Sequence, residues 1–216
     1  METIDKKTIA SIFSTLQKHN QNARSELNYT NNFTLLVAVI LSAQATDMQV
    51  NKVTEKLFPH IQTPEALLAF GEERLRSCIS HLNYYNTKAK HLIQMAQKLI
   101  ADFNSEVPNT FDELISLSGV GRKTANVVLN VAFEKPTIPV DTHVLRVSQR
   151  LGLSDQNTPE AVEKDLLTCT PQQYRHEAHH LLLLFGRYTC KARNPECQTC
   201  ILKKLCRYVQ SNTSLV

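Results

Sequence analysis

Residues 111–130 read FDELISLSGVGRKTANVVLN. Thr110, just upstream, pairs with Glu113 as a capping box ahead of Leu114, Ile115 and Leu117, which predicts a short amphipathic helix. That helix breaks at Ser118-Gly119-Val120-Gly121, and the apolar run Ala125-Asn126-Val127-Val128-Leu129 continues as a second one. The stretch is therefore an αα-hairpin, and it holds two of the five glycines of a 216-residue chain. So few glycines argue against a turn-dense β sandwich or barrel. No period-2 alternation of useful length and no repeat at solenoid spacing is present. The expected fold class is all-α.

Outward from the hairpin the same signals recur. Ile9, Ile12, Phe13 and Leu16 follow the spacing of an amphipathic helix. Residues 33–41, FTLLVAVIL, are apolar on every face and too short for a membrane, which predicts a buried central helix. Thr63-Pro64-Glu65 and Thr158-Pro159-Glu160 each present an N-cap, a proline at the first helical position and a first-turn acid. Thr170 with Gln173 predicts a further capping box. A chain of this size hides roughly 70% of the surface its unfolded form exposes, so disorder is excluded as its main state. The start, METIDKKTIASIF, lacks an uninterrupted apolar run, and no segment approaches the ~18 apolar residues of a membrane span. A soluble cytoplasmic protein without a membrane partner is expected.

The hairpin carries chemistry as well as shape. Glycine tolerates positive φ and close approach of a ligand, and the start of the second helix offers free N–H groups at the positive end of its dipole. Gly119, Val120, Gly121 and Arg122 can thus hold a phosphate, or the glycines serve only the turn. Arg122 intervenes between Gly121 and the Lys123-Thr124 pair and a helix precedes, so this is not a P-loop. The second helix is too apolar to present side chains to base edges, which excludes a major-groove reader. What remains is a helix-hairpin-helix element that contacts the DNA backbone without reading sequence. Lys123 stands in the first turn, where the dipole and Arg122 both disfavour an ammonium. A neutral amine there could attack C1′ of a sugar; the alternative is a simple phosphate-binding lysine. Asp141, in Pro139-Val140-Asp141-Thr142-His143, is a good helix N-cap and also a carboxylate able to accept the amine's proton. His143 reads as a structural or phosphate-contacting residue rather than a base.

The formal net charge is only +4, but its placement is uneven. Residues 122–150 carry five basic and two acidic side chains, and residues 186–216 carry six and one, whereas 25–121 and 151–185 are each net acidic. Such clustering is the footprint of a nucleic-acid binder or a solvated basic face. The second basic segment contains Cys190-x6-Cys197-x2-Cys200-x5-Cys206. In a reducing compartment such cysteines are metal ligands, catalytic thiols or core fillers more often than disulfides. One C-x2-C pair fits zinc poorly, and four thiolates in so short a window suit a [4Fe–4S] cluster. Cys78 and Cys169 lie in partly apolar helical contexts and are expected to be core residues.

These elements, with Leu41-Ser-Ala-Gln44-Ala-Thr-Asp47, resemble the endonuclease III family of DNA glycosylases over nearly the whole chain. The resemblance implies a two-domain helix-hairpin-helix glycosylase fold. A six-helix barrel would span 25–135 with the hairpin at about 111–130, and a discontinuous helical domain of 1–24 and 136–216 would carry the cluster at 190–206. DNA would lie in the cleft between them. The implied activity is that of a bifunctional N-glycosylase and AP lyase removing oxidised pyrimidines in base excision repair. Lys123 would be the nucleophile and Asp141 the assisting carboxylate. Gln44 would fill the space left by the flipped base, and Lys191 and Arg193 would grip phosphates. The implied partner is duplex DNA with a damaged base or AP site, bound by a monomer in a bacterial cytoplasm. Ser118 stands where the family usually has proline, which should loosen the hairpin. Tyr84 stands where bacterial members commonly have a leucine wedge, and it could stack on the estranged base. The alternatives are a monofunctional adenine or mismatch glycosylase, or a non-catalytic helix-hairpin-helix module with a structural metal.

Overall fold

The computed structural model describes residues 4–21, 23 and 25–212; the remaining residues at the two chain ends, assigned by resemblance to the discontinuous domain, lie outside them. Among the described residues are twelve α-helices and no strand, so the fold is all-α. In chain order the helices are α1 (Lys6–His19), α2 (Asn32–Leu41), α3 (Asp47–Leu57), α4 (Pro64–Phe70), α5 (Glu72–Cys78), α6 (Tyr85–Phe103), α7 (Phe111–Ile115), α8 (Arg122–Phe133), α9 (Thr142–Leu151), α10 (Pro159–Cys169), α11 (Arg175–Tyr188) and α12 (Arg207–Ser211). They form two compact units, one of Glu26–Lys135 and one of Met1–Ser25 with Pro136–Val216.

The Glu26–Lys135 unit is built around α2. Every residue from Phe33 to Leu41 is buried, as all-round apolarity requires, and α8, α6 and α3 pack on it. Asn31 and Thr34 close a capping box at its start, and Thr46 and Gln49 close another on α3. Thr63 caps α4 as its sequence predicts, with Pro64 in the first turn. At the hairpin, the Thr110 side chain accepts from the Glu113 N–H and its hydroxyl donates to the Glu113 carboxylate.

The other unit is centred on the α9–α11 pair, lined by Val144, Val147, Ala178 and Leu182, with α1 laid against α11. Gly186 makes the close crossing possible: a Cβ there would stand 3.0 Å from both His143 Cβ and Val147 Cγ2. Phe13 of α1 stacks on Tyr174 at 5.8 Å between centroids. Thr158 caps α10 as predicted. The capping box expected at Thr170 does not form. Thr170 closes α10 as its C-cap, and α11 follows a 3-10 turn without a side-chain cap. The 3-10 turn Gln172–Tyr174 accounts for this, because it postpones the start of α11 to Arg175, five residues beyond Thr170.

Cys78 is exposed rather than a core residue. Leu75 and Ile79, four apart, take the inward face of α5, which turns Cys78 about 100° away from Ile79. Cys169 is half-buried, and burial pushes its thiol up.

The two hairpin glycines do different things. Gly119 has φ +80 and sits against His91, whose Cβ would be 3.0 Å from an added methyl; Gly121 has φ −93 and faces open space. A Gly119→Ala variant should lower stability by about 1–2 kcal/mol through the left-handed backbone alone. Urea unfolding should show this as a lower midpoint at unchanged slope, with Gly121→Ala near wild type.

Candidate functional site

At the hairpin, the Val120 N–H donates to the Leu117 carbonyl at 3.2 Å, and the Val120 side chain is buried in the core of its unit. The left-handed Gly119 turns the chain so that α8 starts at the surface while Ala125 to Asn130 are buried. Gly121 is the N-cap and brings no side chain of its own to the first-turn N–H groups. Arg122 lies with its guanidinium 5.1 Å from the centre of the Phe111 ring, and Lys123, next along α8, is exposed. Ser118 does more than replace a proline. Its hydroxyl donates to Gln94 Oε1 at 2.8 Å and ties the turn to α6.

Asp141 is the N-cap of α9. Its Oδ1 accepts from the His143 N–H at 2.8 Å and the Val144 N–H at 2.9 Å. His143 packs at the Gly186 crossing with its Nδ1 3.2 Å from an Arg146 terminal nitrogen. Arg146 joins this helix start to the cysteine loop: Nε donates to the Cys190 carbonyl at 3.1 Å and a terminal nitrogen to the Gly186 carbonyl at 2.8 Å. Burial, reinforced by the charge of Arg150, lowers the Arg146 pKa, while Cys190 and Asp141 act in the opposite sense. Arg150, one turn on, donates to the carbonyls of Lys191 at 2.7 Å and Ala192 at 3.2 Å and approaches Cys190 Sγ at 3.4 Å. Its guanidinium also lies over Tyr208.

Cys190, Cys197, Cys200 and Cys206 line one pocket with Phe185 and Tyr208. Among the described residues no group of three or more His, Cys, Asp or Glu is placed to hold a single metal ion. Burial pushes Cys200 and Cys206 up, and the neighbouring thiols of the set push both further. The Leu202 N–H donates to Cys200 Sγ at 3.4 Å. In the loop itself, Arg193 is exposed and Lys191 pairs with Glu196 at 2.7 Å, an exposed ion pair of about 0–1 kcal/mol.

Gln44 and Tyr84 are both exposed and both left-handed, at φ 54 and 57. They lie 40 residues apart, yet the Asn83 side-chain amide donates to the Gln44 carbonyl at 2.9 Å.

This arrangement has counterparts among known proteins. Residues 37–172 match the HhH-GPD superfamily of base excision DNA repair proteins, and residues 190–206 match the iron–sulfur binding domain of endonuclease III. Endonuclease III of Treponema pallidum is 53% identical over 206 residues, 95% of this chain and 98% of that one. Endonuclease III of Escherichia coli strain K12 is 47% identical over 197 residues, 91% and 93% of the two chains. The chain belongs to the endonuclease III family. A solved member of that family, a trapped endonuclease III–DNA covalent intermediate with an estranged adenine, superposes with a TM-score of 0.91 at 43% identity, over 97% of this chain and 99% of that one.

As an endonuclease III family member, the protein is a DNA glycosylase and AP lyase with the helix-hairpin-helix glycosylase fold, and its cofactor is a [4Fe–4S] cluster. The cysteine loop fits that group. Four cysteines, soft sulfur donors, line one pocket in which neighbouring thiolates disfavour one another and a positive core would favour all four. The residues that hold this endonuclease III site in shape include two that sequence reading counted only as charge. Arg146 and Arg150 stand four apart, on one face of the helix that Asp141 starts, and that spacing was the available signal. Purified protein should be brown with roughly four iron and four sulfide per chain, and Cys200→Ala should lose most of that iron. Stoichiometric zinc in the wild type would overturn the assignment.

Proposed function

We propose that this enzyme binds duplex DNA at a damaged base or AP site, removes oxidised pyrimidines such as thymine glycol and then cuts the strand by β-elimination. The observation that carries this reading is Lys123 in the exposed first turn of α8, directly after the Gly119–Gly121 turn, in a chain that matches endonuclease III end to end.

In this reading, the hairpin backbone from Gly119 to Arg122 holds a phosphate of the damaged strand, and Lys191, Arg193 and His143 add phosphate contacts. The glycosidic bond is inaccessible in the stack, so the nucleotide is flipped out. Gln44 occupies the space it leaves, and Tyr84 stacks against the base left unpaired. The Lys123 amine attacks C1′, and the base departs with the bonding electrons and takes up the proton that the amine gives to Asp141. Asp141 takes the proton the amine loses and stabilises the positive charge developing on the sugar. The sugar ring opens to an iminium ion linked to Lys123. Loss of a C2′ proton then expels the 3′ phosphate, and water releases the lysine. Lys123 and Asp141 come from different units, and each is assigned its role from its own surroundings. Cys190, Cys197, Cys200 and Cys206 are the cluster ligands. The cluster supplies structure to the basic loop 190–206 rather than chemistry at the base. The enzyme acts as a monomer with the nucleoid in a bacterial cytoplasm, a reading that its bacterial relatives support.

A thymine-glycol duplex opposite adenine tests the mechanism. Wild type should nick it without added alkali and give a covalent adduct with borohydride, and Lys123→Ala should lose both by at least about a hundredfold. Base release without nicking would favour a monofunctional glycosylase. Tight binding without turnover would favour a non-catalytic module, and an equal adduct yield from Lys123→Ala would refute the lysine mechanism.

A further inference from the structure

Gln44 and Tyr84 share a backbone problem. Each has positive φ without being glycine, asparagine or aspartate, a conformation that persists only where the surroundings enforce it. Tyr84 is 64% exposed, so burial does not enforce its conformation. Three hydrogen bonds around it do. The Lys88 N–H donates to the Tyr84 carbonyl at 2.9 Å and closes the first turn of α6. The Lys88 ammonium, itself buried, reaches across to the Leu41 carbonyl at 2.8 Å, where α2 ends and the Gln44 turn begins. Above these, the exposed Asn83 amide donates to the Gln44 carbonyl at 2.9 Å. A carbonyl partner demands the NH2 side of that amide, so an aspartate of the same shape would repel where asparagine attracts. Asn83 is not buried and contributes nothing to the core. What its side chain does is connect the two left-handed turns.

We infer that Asn83 is a positioning residue, seated over the Lys88 bridge, that locks Gln44 and Tyr84 into one preset pair so that both enter the duplex together. The inference rests on the proposed roles of Gln44 and Tyr84. Without the clamp, each turn has to find its strained conformation separately during the encounter with DNA. The loss therefore falls on base flipping, while fold and phosphate contacts are untouched.

Stopped-flow fluorescence of 2-aminopurine beside a thymine-glycol·adenine pair reads flipping directly. Asn83→Ala should slow it about threefold to tenfold, the worth of one hydrogen bond, with the thermal midpoint and the Kd for undamaged duplex unchanged. Asn83→Asp should be at least as slow. In a Tyr84→Ala background the Asn83→Ala effect should disappear, since no pair is left to align. A rate within twofold of wild type, or an equal slowing in both backgrounds, overturns the inference. If Gln44→Ala and Tyr84→Ala themselves flip at the wild-type rate, the reading of those two residues fails first and takes the clamp with it.

Discussion

A helix buried along its body has nowhere to hide the N–H groups of its first turn, and α8 meets that constraint by opening its start to the surface. The left-handed Gly119 lets the chain reverse tightly enough to put α7 and α8 side by side. Val120 then anchors the turn in the core, and Gly121 leaves the helix start uncovered by any capping side chain. The exposed start that carries Lys123 and the burial of Ala125 to Asn130 against α2 are thus two sides of one constraint.

The other unit solves a different problem. Its C-terminal loop contains only short turns and a five-residue helix, with Leu202 and Val209 buried in the core of the unit. Arg146 and Arg150 add to that anchorage by donating to the carbonyls of Cys190, Lys191 and Ala192. Because Arg146 also meets His143, the helix that presents Asp141 and the loop that carries Lys191 and Arg193 are held as one piece. The modest net charge conceals this placement: positive side chains are concentrated at 122–150 and 186–216, and Arg146 and Arg150 among them bond backbone carbonyls.

Much of this was legible in the chain because the signals are local. Threonine, proline and acid in succession mark the starts of α4 and α10. A nine-residue apolar run marks α2, and the cysteine spacing and the lysine after the glycine turn need no tertiary information to be noticed. The misreadings were local signals overruled by a neighbour. Thr170 has the right residue three places on, but a 3-10 turn intervenes before α11, and Cys78 lies beside apolar residues yet one step off the inward face of a short helix.

By itself the sequence determined the helical class, the hairpin and the residue types that could attack a sugar, grip phosphate and ligate iron, because propensity, capping and ligand spacing act within a few residues. Only the tertiary structure decided which turns meet. Asn83 finds the Gln44 carbonyl 39 positions away, the Lys88 ammonium finds Leu41 across 47, and Arg146 reaches Cys190 across 44. Hydrogen bonds between such distant partners leave no periodicity along the chain. They exist only once α2, α6, α9 and α11 have packed and brought unrelated carbonyls within about 3 Å of a donor.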